Sequence, residues 1–152
     1  MKGLIQRVTH ASVSVNRQTV SAINTGLLLL LGVEKTDTPE TAAKLCRKVI
    51  NYRVFPDDQG RMNRSLLDAG GSLLVVPQFT LAADTRSGTR PGFSVAAPPD
   101  HAEALFREFL VVSEQHLGTE AVGRGQFGAD MKVSLENDGP VTFLLEVGGE
   151  SR

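Results

Sequence analysis

The stretch Gly26-Leu-Leu-Leu-Leu-Leu-Gly-Val33, followed after three intervening residues by Asp37-Thr38-Pro39-Glu40, decides the architecture. Five leucines in a row show no polar alternation, so they read as a central strand covered on both faces. After the glycine exit the signals change to those of a helix start. A capping side chain precedes proline at the first helical position, and an acid then complements the helix dipole. Leu45, Cys46, Val49 and Ile50 continue at helical spacing and form the apolar face, with Lys44, Arg47 and Lys48 toward solvent. Cys46 therefore reads as core.

Working outward, residues 3–33 carry the β-branched and apolar segments LIQRV, ASVSV, QTVSAI and GLLLLLGV, which predict three or four strands. On the C-terminal side, Tyr52 to Phe55 reads as a short strand, and residues 56–60 as a turn of proline, aspartate and glycine. Ser72 to Val76 is a further strand. Residues 78–99 hold no sustained period and carry Gly88, Pro91, Gly92, Pro98 and Pro99, a loop long enough to suggest function. A second helix follows from Asp100 to just before Gly118, and its start lacks a capping hydroxyl. Met131 to Leu135 and Val141 to Val147 are strands joined by Glu-Asn-Asp-Gly-Pro. The expected fold is a sheet-rich α+β single domain over residues 1–152 with two principal helices, the last few residues being a candidate disordered tail.

With 152 residues, 41% hydrophobic and 22% charged, the chain can bury one core. A net charge of −1 excludes a binder that grips nucleic acid over its whole surface, so any RNA contact is local. One cysteine leaves no internal disulfide and no Cys-based zinc site. The polar N-terminus shows no export signal, and the longest apolar run is far short of the about 20 residues that span a bilayer. The expectation is a cytoplasmic protein with no metal and no cofactor. Gly123-Arg-Gly-Gln-Phe-Gly128 spells a dinucleotide fingerprint, but a helix ends before it and a strand follows it, the reverse of what that motif requires. His10, His101 and His116 do not form a metal set, and no nucleophile elbow occurs.

Two segments carry chemistry: Gln78-Phe-Thr-Leu-Ala-Ala83 directly after a strand, and Asn137-Asp-Gly-Pro-Val-Thr-Phe143 entering the last one. Together with Gln6-Arg7-Val8, Leu30 to Glu34, Asn51-Tyr-Arg53, Gly70-Gly71-Ser72 and Phe127 to Met131, they resemble the D-aminoacyl-tRNA deacylase family along nearly the whole chain. Pro77 stands where the family commonly shows serine, and Gln126 where arginine is often found. The resemblance implies hydrolysis of the ester that joins a D-amino acid to tRNA, and leaves open whether glycine on the wrong tRNA is also removed. It implies a homodimer in which a Gly139-cis-Pro140 turn reaches the partner's site and leaves no room for an L side chain. Gln78, Phe79 and Thr80 become the catalytic candidates, and Arg7, Met131, Asn137, Gly139 and Pro140 the substrate-binding ones. Arg7 would brace the turn.

Ester hydrolysis passes through an oxyanion, which needs fixed donors. A strand ending in a tight turn frees backbone N–H groups, and Phe79 and Thr80 are placed to supply them. Two routes stay open. Thr80 attacks as a nucleophile, or it holds substrate while water attacks with help from the ribose 2′-hydroxyl. The second is favoured because no obvious base flanks Thr80 apart from Asp84. Arg86 and Arg90, in the glycine-rich loop, are candidates for tRNA phosphate contact. Two other readings compete: a non-catalytic RNA-binding module, and a general esterase for free D-amino acid derivatives. No contact with DNA or membrane is expected.

Overall fold

The computed structural model describes residues 1–148; the expected tail lies outside them. Three strands open the chain, β1 (Lys2–Val15), β2 (Gln18–Ile23) and β3 (Gly26–Gly32). The two segments LIQRV and ASVSV thus belong to one long strand, which stays extended through the exposed Thr9 and His10. Helix α1 (Pro39–Asn51) follows, then β4 (Phe55–Pro56), β5 (Met62–Arg64), α2 (Leu66–Ala69), β6 (Ser72–Pro77), α3 (Pro99–Leu117), β7 (Val122–Arg124) and β8 (Lys132–Glu146). The main sheet runs β2-β1-β3-β6-β7, with β8 on the free side of β1. The β3–β6 and β6–β7 pairs are parallel, and β1 is antiparallel to β2, β3 and β8.

The leucine run is buried from both sides, as its composition requires. Leu27, Leu29 and Leu31 face α1 and α3 in a core that includes Leu45, Val49, Phe106 and Phe109. Leu28 faces the opposite side, with Val8, Ala11, Val13, Ile23, Leu74 and Val76. That second core is closed by curling of the sheet, which brings β2 against β7, where the Arg124 amide donates to Ser21 Oγ (3.2 Å). Helix α1 begins at Thr38, whose hydroxyl accepts from the Thr41 amide while Thr41 Oγ1 accepts from the Thr38 amide. Cys46 lies on its buried face beside Ser113 Oγ (3.3 Å), and burial pushes its thiol pKa above the ordinary value. It is a core residue, without the electropositive niche of a reactive thiol.

Several elements differ from the sequence reading. Residues 52–54 continue from the helix end instead of forming a strand, because only Phe55–Pro56 finds a partner, in β5. Short α2 is fixed by a reciprocal Ser65–Asp68 cap and ends at Gly70 in the left-handed region. Residues 78–99 are ordered by a 3₁₀ turn at Phe79–Ala82 and by bridges from Asp84 to Gly92 and from Glu34 to Ala96. The strands expected at 131–135 and 141–147 are halves of one interrupted strand, since both pair with β1 in the same direction. Gly123 sits inside β7 and no helix opens behind it, so the dinucleotide pattern has no matching geometry.

Parallel pairing of β3 with β6 rests on Gly26, where an added Cβ would stand 1.8 Å from the Ser72 carbonyl oxygen. Gly26→Ala forces the two backbones apart. The expected cost is about 3 kcal/mol or more, at or beyond the upper end for overpacking. Denaturant unfolding checks it, and an unchanged midpoint would contradict this pairing.

Candidate active site

β6 ends at Pro77, which has no N–H with which to extend the ladder. The last bond to β3 is the Gln78 amide donating to the Leu31 carbonyl (2.8 Å). The chain then tightens into the 3₁₀ turn, whose first closing bond runs from the Leu81 amide to the Gln78 carbonyl (3.1 Å). The amides of Phe79 and Thr80 come before that bond. Neither has an acceptor among the described residues, as the opening amides of a helical turn normally lack one. The Gln78 side-chain amide donates to Thr80 Oγ1, which fixes the threonine hydroxyl as an acceptor and leaves its proton for another group.

Beside this turn lies a cavity of about 770 Å³. Val76, Gln78 and Phe79 form one side, Met131 and Val133 another, and Phe93, Phe127 and the start of α3 at Pro98, Pro99 and Ala102 the rest. Phe79 is 62% exposed and Phe93 42%, yet their rings pair at 5.5 Å. Two aromatic rings held together at an open, mainly apolar hollow suit a flat or apolar group better than a charged one. Met131 is positioned through its sulfur, which accepts from the Gln126 amide (3.4 Å). That contact uses the backbone of residue 126, so glutamine there serves it as well as arginine would.

The glycine-rich loop treats its two arginines differently. Arg86 is forked onto Asp84, with Nε at 2.9 Å and the terminal nitrogen at 2.8 Å, and this holds its pKa above the ordinary value. Asp84 is therefore committed to Arg86 and does not stand as an idle base for Thr80. Arg90 has no ion-pair partner among the described residues. No group of three or more His, Cys, Asp or Glu side chains suited to a metal occurs among the described residues.

The remaining candidates form a separate cluster. Gln6 pairs with Thr142 and Val8 with Asn137, so the four residues 138–141 face Arg7 alone. This is a large bulge in an edge strand, the kind of irregularity that re-aims backbone toward a function. The Gly139–Pro140 peptide is cis, and Gly139 adopts φ 138°, a region open mainly to glycine. Arg7 Nε donates to the Asp138 carbonyl (3.1 Å) and a terminal nitrogen to the Val54 carbonyl (2.6 Å). Asn137 Nδ2 donates to the carbonyls of Arg7 (2.9 Å) and Val141 (3.0 Å). The Val54 carbonyl was not readable from sequence, because a backbone group carries no residue signature. Phe93 was hidden in a loop without periodicity.

Within one chain the two clusters stay apart. The bulge lies level with Leu27 and Leu73, while Thr80 lies beyond Leu31 and Pro77 at the other end of the same strands. Four residues along β6 and three strand spacings across the sheet separate them by roughly 20 Å.

The chain is similar over nearly its whole length to proteins of one family. Residues 4–146 match the family described as D-Tyr-tRNA(Tyr) deacylase. A D-aminoacyl-tRNA deacylase of Marinobacter nauticus is 65% identical over 148 residues, 97% of this chain and 95% of the relative. One of Stutzerimonas stutzeri is 61% identical over 147 residues, 96% and 99% of the two chains. Among solved structures, a protein described as c-Myc DNA Unwinding Element Binding Protein superposes with a TM-score of 0.94 at 39% identity, over 98% of this chain and 100% of that one. A probable eukaryotic D-amino acid tRNA deacylase, at 17% identity and TM-score 0.82 over 96% and 98%, shares the fold. The chain belongs to the D-Tyr-tRNA(Tyr) deacylase family.

Proposed function

We propose that this protein hydrolyses the ester of D-aminoacyl-tRNA, releasing the free D-amino acid and tRNA. The observation that carries this reading is the pair of acceptor-free amides at Phe79 and Thr80, at the exit of a rigid strand and beside the apolar cavity. Water adds to the ester carbonyl, and the oxygen that becomes negative takes hydrogen bonds from those two amides. The bond to the ribose 3′-oxygen then breaks, and that oxygen leaves with a proton. The neighbouring 2′-hydroxyl relays this proton, because Asp84, close to Thr80 in sequence, is engaged by Arg86, and Asp130, at the cavity wall, by Lys132. Gln78 orients Thr80, and Thr80 donates to the substrate instead of attacking it. No metal or cofactor takes part.

Handedness is assigned to the bulge. The Gly139 and Pro140 backbone of one copy enters the cavity side of a second copy, receives the amine, and leaves no space for an L side chain. Rejection by clash and by unpaired polar groups discriminates more strongly than a loose apolar fit, so side-chain tolerance is broad and includes glycine. Roughly 20 Å between bulge and turn in one chain supports the need for two copies. Arg90, and Arg86 less so because Asp84 already neutralises it, reach tRNA phosphates. No helix among the described residues is long and apolar enough to cross a membrane, which suits action on tRNA in the cytoplasm.

Purified protein should deacylate D-tyrosyl-tRNA and leave matched L-tyrosyl-tRNA and free D-tyrosine esters intact. Equal turnover of the free ester would favour a general esterase, and binding of charged tRNA without turnover would favour an RNA-binding module.

The route divides on a second experiment. Substrate assistance predicts that Thr80→Ala keeps appreciable activity while tRNA ending in 2′-deoxyadenosine is nearly inert. An acyl group trapped on Thr80, or full turnover of the deoxy substrate, would overturn it.

A further inference from the structure

The motifs Gln6-Arg7-Val8 and Asn137 to Thr142 meet across β1 and β8, and one side-chain chain connects them. Gln6 Nε2 donates to Thr142 Oγ1 (3.3 Å), and the Thr142 hydroxyl donates to Asn137 Oδ1 (3.5 Å). Both protons of the Asn137 amide then point away from Thr142 and are used on the carbonyls of Arg7 and Val141. A hydroxyl has one proton, so a Thr142 oxygen that accepts from Gln6 has that proton left for Asn137. The chain thus fixes which way the amide faces. A reversed amide would set its oxygen against two carbonyl oxygens.

We propose that Asn137, Thr142 and Gln6 are positioning residues for the deacylation reaction: they set the bulge that presents Gly139 and Pro140. This rests on the reading of that bulge as the element that judges handedness. It also reassigns Asn137, whose amide hydrogens are both spent inside its own chain and so are not available to the substrate. Asn137 closes the bulge at its two ends, since Arg7 marks the register break on β1 and Val141 is the last residue before pairing resumes. Arg7 holds the first bulge residue at the Asp138 carbonyl. Entry and exit are each tied, which leaves residues 139 and 140 as the part presented outward.

Asn137→Asp keeps size and shape but removes both donors and places a carboxylate against two carbonyls. Thr142→Val removes only the hydroxyl, at an exposed position where folding tolerates it, and Thr142→Ser restores it. Turnover of D-tyrosyl-tRNA and L-tyrosyl-tRNA is measured for each folded variant, beside Gly139→Ala. In that variant the new Cβ would meet the Val141 amide nitrogen at 2.9 Å and so distort the bulge directly. The expected result is a fall in D turnover on the order of 100-fold for Asn137→Asp, the scale of a misplacement of about 1 Å at a reacting centre. Thr142→Val should lose about tenfold, the equivalent of one hydrogen bond, with a narrowed D-to-L ratio, and Thr142→Ser should recover it. A purely structural role would lower stability and leave that ratio unchanged. If Gly139→Ala disturbs handedness while folded Asn137→Asp and Thr142→Val retain normal D-to-L ratios, this inference alone is overturned. If Gly139→Ala also leaves D turnover and L rejection intact, the assignment of handedness to the bulge falls as well, and this inference with it.

Discussion

One backbone position, Arg7, governs how β8 crosses the molecule. On one side of β1 the ladder with β3 is unbroken past it. On the other side four residues must be accommodated where one would pair. Such an excursion has carbonyls and amides no longer supplied by a ladder, and each needs a partner or water. Arg7 and Asn137 provide those partners. The guanidinium spans from Asp138 to Val54, and the Asn137 amide bridges the Arg7 and Val141 carbonyls. Bonds from a charged donor such as this contribute about 1.5 to 3 kcal/mol each. An edge-strand irregularity becomes a rigid projection by this means.

The opposite end of the sheet is built from a different constraint. Parallel pairing of β3 with β6 delivers Pro77 beside Leu31, and the last bond to β3 is made just after it by the Gln78 amide. The following turn leaves the Phe79 and Thr80 amides without acceptors beside an apolar hollow. The curled sheet carries Met131 and Val133 to the same hollow. A long β1, shared by three neighbouring strands, thereby relates both ends to one frame.

Much of this was legible in the residues. Five consecutive leucines could only be a strand covered on both sides, and Thr38-Pro39 marked a helix start, because burial and capping are local demands. The short elements were not legible. β5 and β7 exist because a partner strand is present, and α2, capped locally by Ser65 and Asp68, is too short to show a period. The interrupted nature of β8 was hidden because Asn-Asp-Gly-Pro suits a turn and a bulge equally, and register is set by the partner strand. Gln78 to Thr80 and Gly139-Pro140 were found through resemblance. Their roughly 20 Å separation within one chain, and the commitment of Asp84 to Arg86, needed coordinates.

The central claim is that these two halves act together only across two copies of the chain. Two-fold assemblies are the commonest closed form, and each copy would give its bulge and receive the other's. The direct measurement is light scattering and D-tyrosyl-tRNA turnover on the same samples across a dilution series. The account predicts a mass twice the chain's 16.3 kDa, with activity per chain falling as the pair separates. A monomer that keeps full activity would contradict it.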